Sequence, residues 1–203
     1  INYFFELMPV DHKRKLIFIH IPKNAGTSIE KHCEMNDTGH KYWKYYYSKY
    51  LSEWNQYTSF AVIRDPIDRF VSCYRYARMT KSYWHNAIEP DKAIYGIHPD
   101  YNVCSKLDIN SLCSELLNGS LKLEHQGWAP QHLWIMEDGE VKINRIVNYM
   151  NIDKELEIFG IYNLPQKNFS EGSKEVTLSD ENKIFLQEVY SEDYKLLCNN
   201  KIS

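Results

Sequence analysis

Between Leu16 and Ile21 the chain reads L-I-F-I-H-I, a mostly apolar run rich in β-branched residues. Such a run predicts a strand buried on both faces of a parallel sheet. Pro22 ends it, because proline has no N–H to give to a ladder. A second short apolar run, Phe60 to Ile63, stops at Arg64-Asp65-Pro66. Pro66 suits the first turn of a helix and Asp65 its N-cap, so a helix is predicted from Pro66 to about Met79. Further helices are predicted over residues 109–118, 143–150 and 179–198, the last opened by Ser179 followed by Asp180 and Glu181. Residues before Lys13 read as a lead-in. Residues 81–107 mix Pro, Gly, Asp and aromatics without periodicity, which predicts a lid or substrate loop. Strand and helix alternate, so the fold class is α/β, with a mainly parallel central sheet and helices on both faces.

Between the first strand and the helix-forming segment from Ser28 stands the loop Lys23-Asn24-Ala25-Gly26-Thr27. A strand, a small-residue loop with a lysine and a helix N-terminus together suit an anionic phosphate. Loop N–H groups converge, the helix dipole is positive there, and Lys23 adds a full charge. The loop is not a Walker A motif, which needs its lysine directly before the hydroxyl residue. The plain alternative is an ordinary strand-to-helix turn. Arg64 falls at the carboxyl end of the second strand, where open α/β sheets bind ligands, and Ser72 lies two turns into the next helix. An arginine fork and a hydroxyl at that spacing suit one phosphate. The alternative for Arg64 is an ion pair with Asp65 or Asp68.

A length of 203 residues suits a single domain spanning 1–203. The formal net charge of −3 argues against non-specific nucleic-acid binding, and no apolar run reaches a membrane span of about 20 residues. The five cysteines include no C-x-x-C pair, which argues against zinc and a dense disulfide framework. One Cys104–Cys113 disulfide is open as an alternative to reduced thiols. Asn36-Asp37-Thr38, Asn118-Gly119-Ser120 and Asn168-Phe169-Ser170 fit the glycosylation pattern. A cytoplasmic location is expected, or the Golgi lumen or secretion if an anchor or leader precedes Ile1.

P-K-N-A-G-T-S after one strand, with R-D-P-x-x-R-F-x-S-x-Y after another, resembles the paired signatures of PAPS-dependent sulfotransferases. The resemblance is to the branch holding the Golgi carbohydrate sulfotransferases and their small bacterial relatives. Trp128-Ala129-Pro130-Gln131 and the segment from Gly139 to Val147 look like that family's W-x-P-Q patch and the strand and helix behind it. The resemblance implies a P-loop-like three-layer domain and a sulfotransferase that moves the sulfuryl group of PAPS onto a hydroxyl, with PAP as product. It places the 5′-phosphosulfate on Lys23, Asn24, Ala25, Gly26, Thr27 and Ser28, and the 3′-phosphate on Arg64 and Ser72. The family usually has Thr or Gly where this chain has Asn24. Its acidic residue near Asn144 and its Glu near Tyr149 are absent.

The acceptor, read as a small molecule or a carbohydrate, needs a general base, and a neutral histidine suits pH 7. His40, in a Gly-His turn between the two phosphate motifs, is the first candidate. The family often has its base in this stretch. Glu30 is the second, against a solvated first-turn glutamate, and His132 the third. His20, inside the first strand, reads as a hydrogen-bonded core residue. Lys23 is the catalytic cation for the leaving phosphate, and no metal is expected. Eight aromatics crowd residues 42–57. Trp43, Tyr46, Tyr47, Tyr50 and Trp54 share a helical stripe and read as core, with Tyr42 and Tyr45 left as substrate contacts. Two rival readings are an ATP-dependent kinase and a non-catalytic PAP or nucleotide binder.

Overall fold

The structure is a computed structural model that describes residues 9–35, 39–165 and 176–199. The strands are β1 (Val10–Asp11), β2 (Leu16–Ile19), β3 (Thr58–Ile63), β4 (Met136–Glu137), β5 (Glu140–Val141) and β6 (Arg145–Asn148). Among them run the helices α1 (Gly26–His32), α2 (Trp43–Lys49), α3 (Leu51–Trp54), α4 (Pro66–Ala77), α5 (Tyr101–Lys106), α6 (Ile109–Leu117), α7 (His132–Ile135), α8 (Ile152–Leu156), α9 (Asp180–Val189) and α10 (Ser191–Asn199). The chain divides into two compact units. One comprises Ile1–Asp65, Pro130–Phe169 and Glu192–Ser203, the other Pro66–Ala129 and Ser170–Ser191.

The first unit holds the sheet, in the order β1-β2-β3-β6. β2, β3 and β6 are parallel and β1 pairs antiparallel with β2. Side chains alternate across a strand, so both faces must find cover. Leu16, Phe18, Phe60 and Val62 pack with Ile29 of α1 and Leu156 of α8. Ile17, Ile19, Ala61 and Ile63 pack with Tyr46 of α2, Trp134 of α7 and Leu196 and Leu197 of α10. Full burial of each large apolar side chain contributes about 1.5–3 kcal/mol, which is why these two runs carry almost no polar residue.

The second unit is helical, with Phe70 and Tyr74 of α4, Cys104 of α5, Leu112 of α6, Leu186 of α9 and Trp128 in one core. Buried Asp100 organises its loops by accepting from the Glu124 and His125 backbone N–H groups and the Trp128 indole. Buried Arg69 donates to the carbonyls of Gly127 and Ala129. All five cysteines are free thiols. Burial pushes Cys33 up to about 11 and Cys104 and Cys113 up to about 12, so these thiols stay protonated at neutral pH.

Several sequence expectations change. Residues 143–150 contain strand β6 rather than a helix, paired with β3 from Arg145 to Asn148. Residues 179–198 form two helices, because Tyr190 leaves helical geometry (φ −105°, ψ 24°) and its hydroxyl donates to the Trp128 carbonyl. The lead-in contains β1, and residues 101–106 of the expected loop are α5. Tyr46 and Tyr50 are buried as expected, but Tyr47 is 44% exposed, with its ring against Trp43 and Trp54. The patterns at Asn36 and Asn168 lie outside the described residues.

Candidate active site

The carboxyl ends of β2 and β3 are neighbours, because Ile19 pairs with Ala61 in parallel register. The phosphate-type loop leaves the first strand and Arg64 follows the second, so one sheet edge gathers both expected anion sites. Within the loop Lys23 (φ 68°) and Ala25 (φ 62°) both take left-handed backbone conformations. Such strain at non-glycine residues clusters at functional sites. α1 begins at Gly26, ahead of the first intrahelical bonds, so its leading N–H groups face the loop.

Asn24 is buried and its side-chain nitrogen donates to the Val62 carbonyl and to Gln131 Oε1, each at 2.7 Å. Gln131 Oε1 also accepts from the Arg64 N–H at 2.9 Å, and Gln131 Nε2 donates to the Arg64 carbonyl at 2.8 Å. Past that clamp the Arg64 guanidinium lies over the Tyr149 ring, 4.5 Å from its centroid. Arg64 Nε is buried with no hydrogen-bond partner, and the guanidinium makes no ion pair among the described residues. The alternative of an ion pair with Asp65 or Asp68 is therefore not what the described residues form, and an orphaned cationic donor suits an anionic ligand.

The histidines around the loop form a connected set. His20 is a buried core residue, as expected, and its Nδ1 donates to Glu30 Oε1 at 2.9 Å. Glu30 is 4% exposed, so the solvated reading of it fails. The His20 ring covers Gly26 so closely that a Cβ there would lie 1.9 Å from His20 Nε2. The His40 ring stands edge-on to His20, centroids 4.4 Å apart, and its Nδ1 donates to the His20 carbonyl at 3.1 Å. A carbonyl only accepts, so the proton sits on Nδ1 and Nε2 keeps the lone pair. Beyond His40 lies Trp134, buried, with Tyr42 stacked on it at 4.5 Å.

His132 is oriented in the same way. Its Nδ1 donates to Asp193 Oδ1 at 2.9 Å, and that carboxylate also accepts from the His132 and Gln131 backbone N–H groups. Lys23 is half-buried in the loop, and Thr27 and Ser28 lie in the first turn of α1. Ser72 is half-buried on α4 in the second unit. Sequence reasoning missed Gln131, Asp193 and Trp134 as site residues. Gln131 stood in a quoted motif but without a role, and Asp193 lies 62 residues from its partner.

A model described as the sulfotransferase family matches residues 7–198. The chain belongs to the sulfotransferase family, and sulfuryl transfer is the class of reaction its fold serves. No curated protein and no solved structure matches it.

Proposed function

We propose that this sulfotransferase takes the sulfuryl group from PAPS and places it on a hydroxyl of a small-molecule or carbohydrate acceptor. The observation that carries the reading is the shared strand edge. A lysine loop and an arginine with a buried, unpaired Nε leave adjacent parallel strands and are joined through Gln131. A donor with a 5′-phosphosulfate and a separate 3′-phosphate needs two anion sites of that kind. Lys23 and the leading N–H groups of α1 hold the 5′ end, and Arg64 holds the 3′-phosphate.

PAPS supplies a sulfuryl group bonded to a phosphate leaving group. Lys23 and the loop N–H groups stabilise the charge that grows on that phosphate, and Thr27 and Ser28 add hydroxyl donors. His40 takes the acceptor proton at Nε2, the nitrogen left basic by its bond to the His20 carbonyl. Its contact with His20, whose ring lies against Gly26, favours it over His132. Glu30 serves as the partner of His20.

Calorimetric titration with PAP and, separately, with ATP and magnesium tests the reading. PAP is expected to bind at micromolar affinity or tighter and ATP weakly. Arg64→Ala is expected to weaken PAP by about tenfold to a hundredfold, the loss of one charge-assisted fork. A preference for ATP overturns the reading in favour of a kinase. Tight PAP binding without turnover on any acceptor would leave a PAP-binding protein.

A further inference from the structure

We propose that Gln131 is a positioning residue that joins Arg64 to the Lys23–Ser28 loop, so that both phosphates of one ligand are gripped as a single unit. The proposal rests on the PAPS reading above. Gln131 is fully buried, and its side-chain amide spends all its bonding capacity. Oε1 accepts from Asn24 Nδ2 and from the Arg64 N–H. Nε2 donates to the Arg64 carbonyl and, at 3.4 Å, to Asp193 Oδ2. The Asp193 carboxylate and the Arg64 carbonyl can only accept, so the amide has only one orientation that satisfies its neighbours.

The pairing of β3 with β6 ends at Ile63 and Asn148. At the next residue Gln131 takes both backbone polar groups of Arg64, as a further strand would. The direction in which the arginine leaves the sheet is thereby fixed. On the other side the same oxygen holds Asn24, inside the loop that bears Lys23. This tie joins the loop to the strand end through one buried amide. It gives the two anion sites a continuous hydrogen-bonded path, Asn24 to Gln131 to Arg64, by which order at one is felt at the other.

Gln131→Met keeps the volume and removes every bond of the amide. Calorimetry with PAP, adenosine 5′-phosphate and adenosine 3′-phosphate reads what the second phosphate adds. In the variant that gain is expected to fall about tenfold or more, while adenosine 5′-phosphate alone weakens by less than about threefold. Equal losses for all three ligands would mean a merely structural residue and overturn the proposal, as would an unchanged PAP affinity. Asn24→Ala keeps the clamp on Arg64 and removes the loop's bonds to Gln131 and to the Val62 carbonyl, and serves if the first variant does not fold. It is expected to weaken PAP and spare adenosine 3′-phosphate, and equal loss of both overturns the proposal. The wild type separates the two claims. If it binds PAP no better than adenosine 5′-phosphate, the PAPS reading itself fails before any variant is made.

Discussion

Five histidines, three in the first unit and two in the second, are held in opposite ways. In the first, Nδ1 of His20, His40 and His132 each faces an oxygen: the Glu30 carboxylate, the His20 carbonyl and the Asp193 carboxylate. In the second, Nδ1 of His98 and His125 instead accepts, from the backbone N–H groups of Asp100 and Gly127. An oxygen acceptor puts the proton on Nδ1 and leaves Nε2 basic. A backbone donor reverses the assignment and places the proton on Nε2. The rings of His85, His98 and His125 also lie against one another, with centroids 5.1 and 4.6 Å apart. One residue type thus carries its proton on Nδ1 beside the loop and on Nε2 at His98 and His125, and the group that faces Nδ1 decides which.

The largest expected effect is on turnover. His40→Ala is predicted to slow sulfuryl transfer about a hundredfold or more while PAP affinity stays unchanged, as measured by steady-state kinetics and calorimetry. A comparable loss from His98→Ala would break the comparison, and full turnover in His40→Ala would move the base to His132. The next effect is on stability. Glu30→Ala removes the carboxylate from a buried imidazole and is predicted to cost about 1–3 kcal/mol in urea unfolding. The smallest is a pH slope. Burial holds His85 below the ordinary histidine value of 6.5, against a hydrogen bond to the Tyr95 backbone. The unfolded chain then binds a proton that the folded one refuses, so this part of the stability is complete above about pH 6.5 and declines as pH falls below it. His85→Gln is predicted to flatten the fall of Tm between neutral and mildly acidic pH, and an unchanged slope would refute the assignment.

Legibility in the sequence followed the range of the contacts. β2 and β3 were readable because unbroken apolar runs of that length suit a sheet covered on both faces. Ser179 was readable as an N-cap, and its hydroxyl accepts from the Asn182 N–H. Residues 143–150 misled because Ile143, Ile146 and Val147 match a helical face and a short strand alike. The free edge of β3 decides for the strand, and no local signal reports that edge. At the site, Lys23 and Arg64 announced themselves through strand ends. The Gln131 clamp did not, since it joins residues 67 and 107 positions apart. Glu30 was misread because the first turn of a helix is usually wet, and only the fold brings His20 over it.

The imidazole lying on Gly26 also bears on how this loop can change over generations. An alanine at 26 forces the ring at 20 aside. A ring pushed aside draws away from the buried Glu30 carboxylate that it bonds, so the strain reaches position 30 as well. Positions 20, 26 and 30 are therefore physically coupled, and changing one of them alone is expected to cost more stability than changing them together. The glycine is guarded by the residue that follows β2, and mutational libraries that vary the loop alone are expected to retain it.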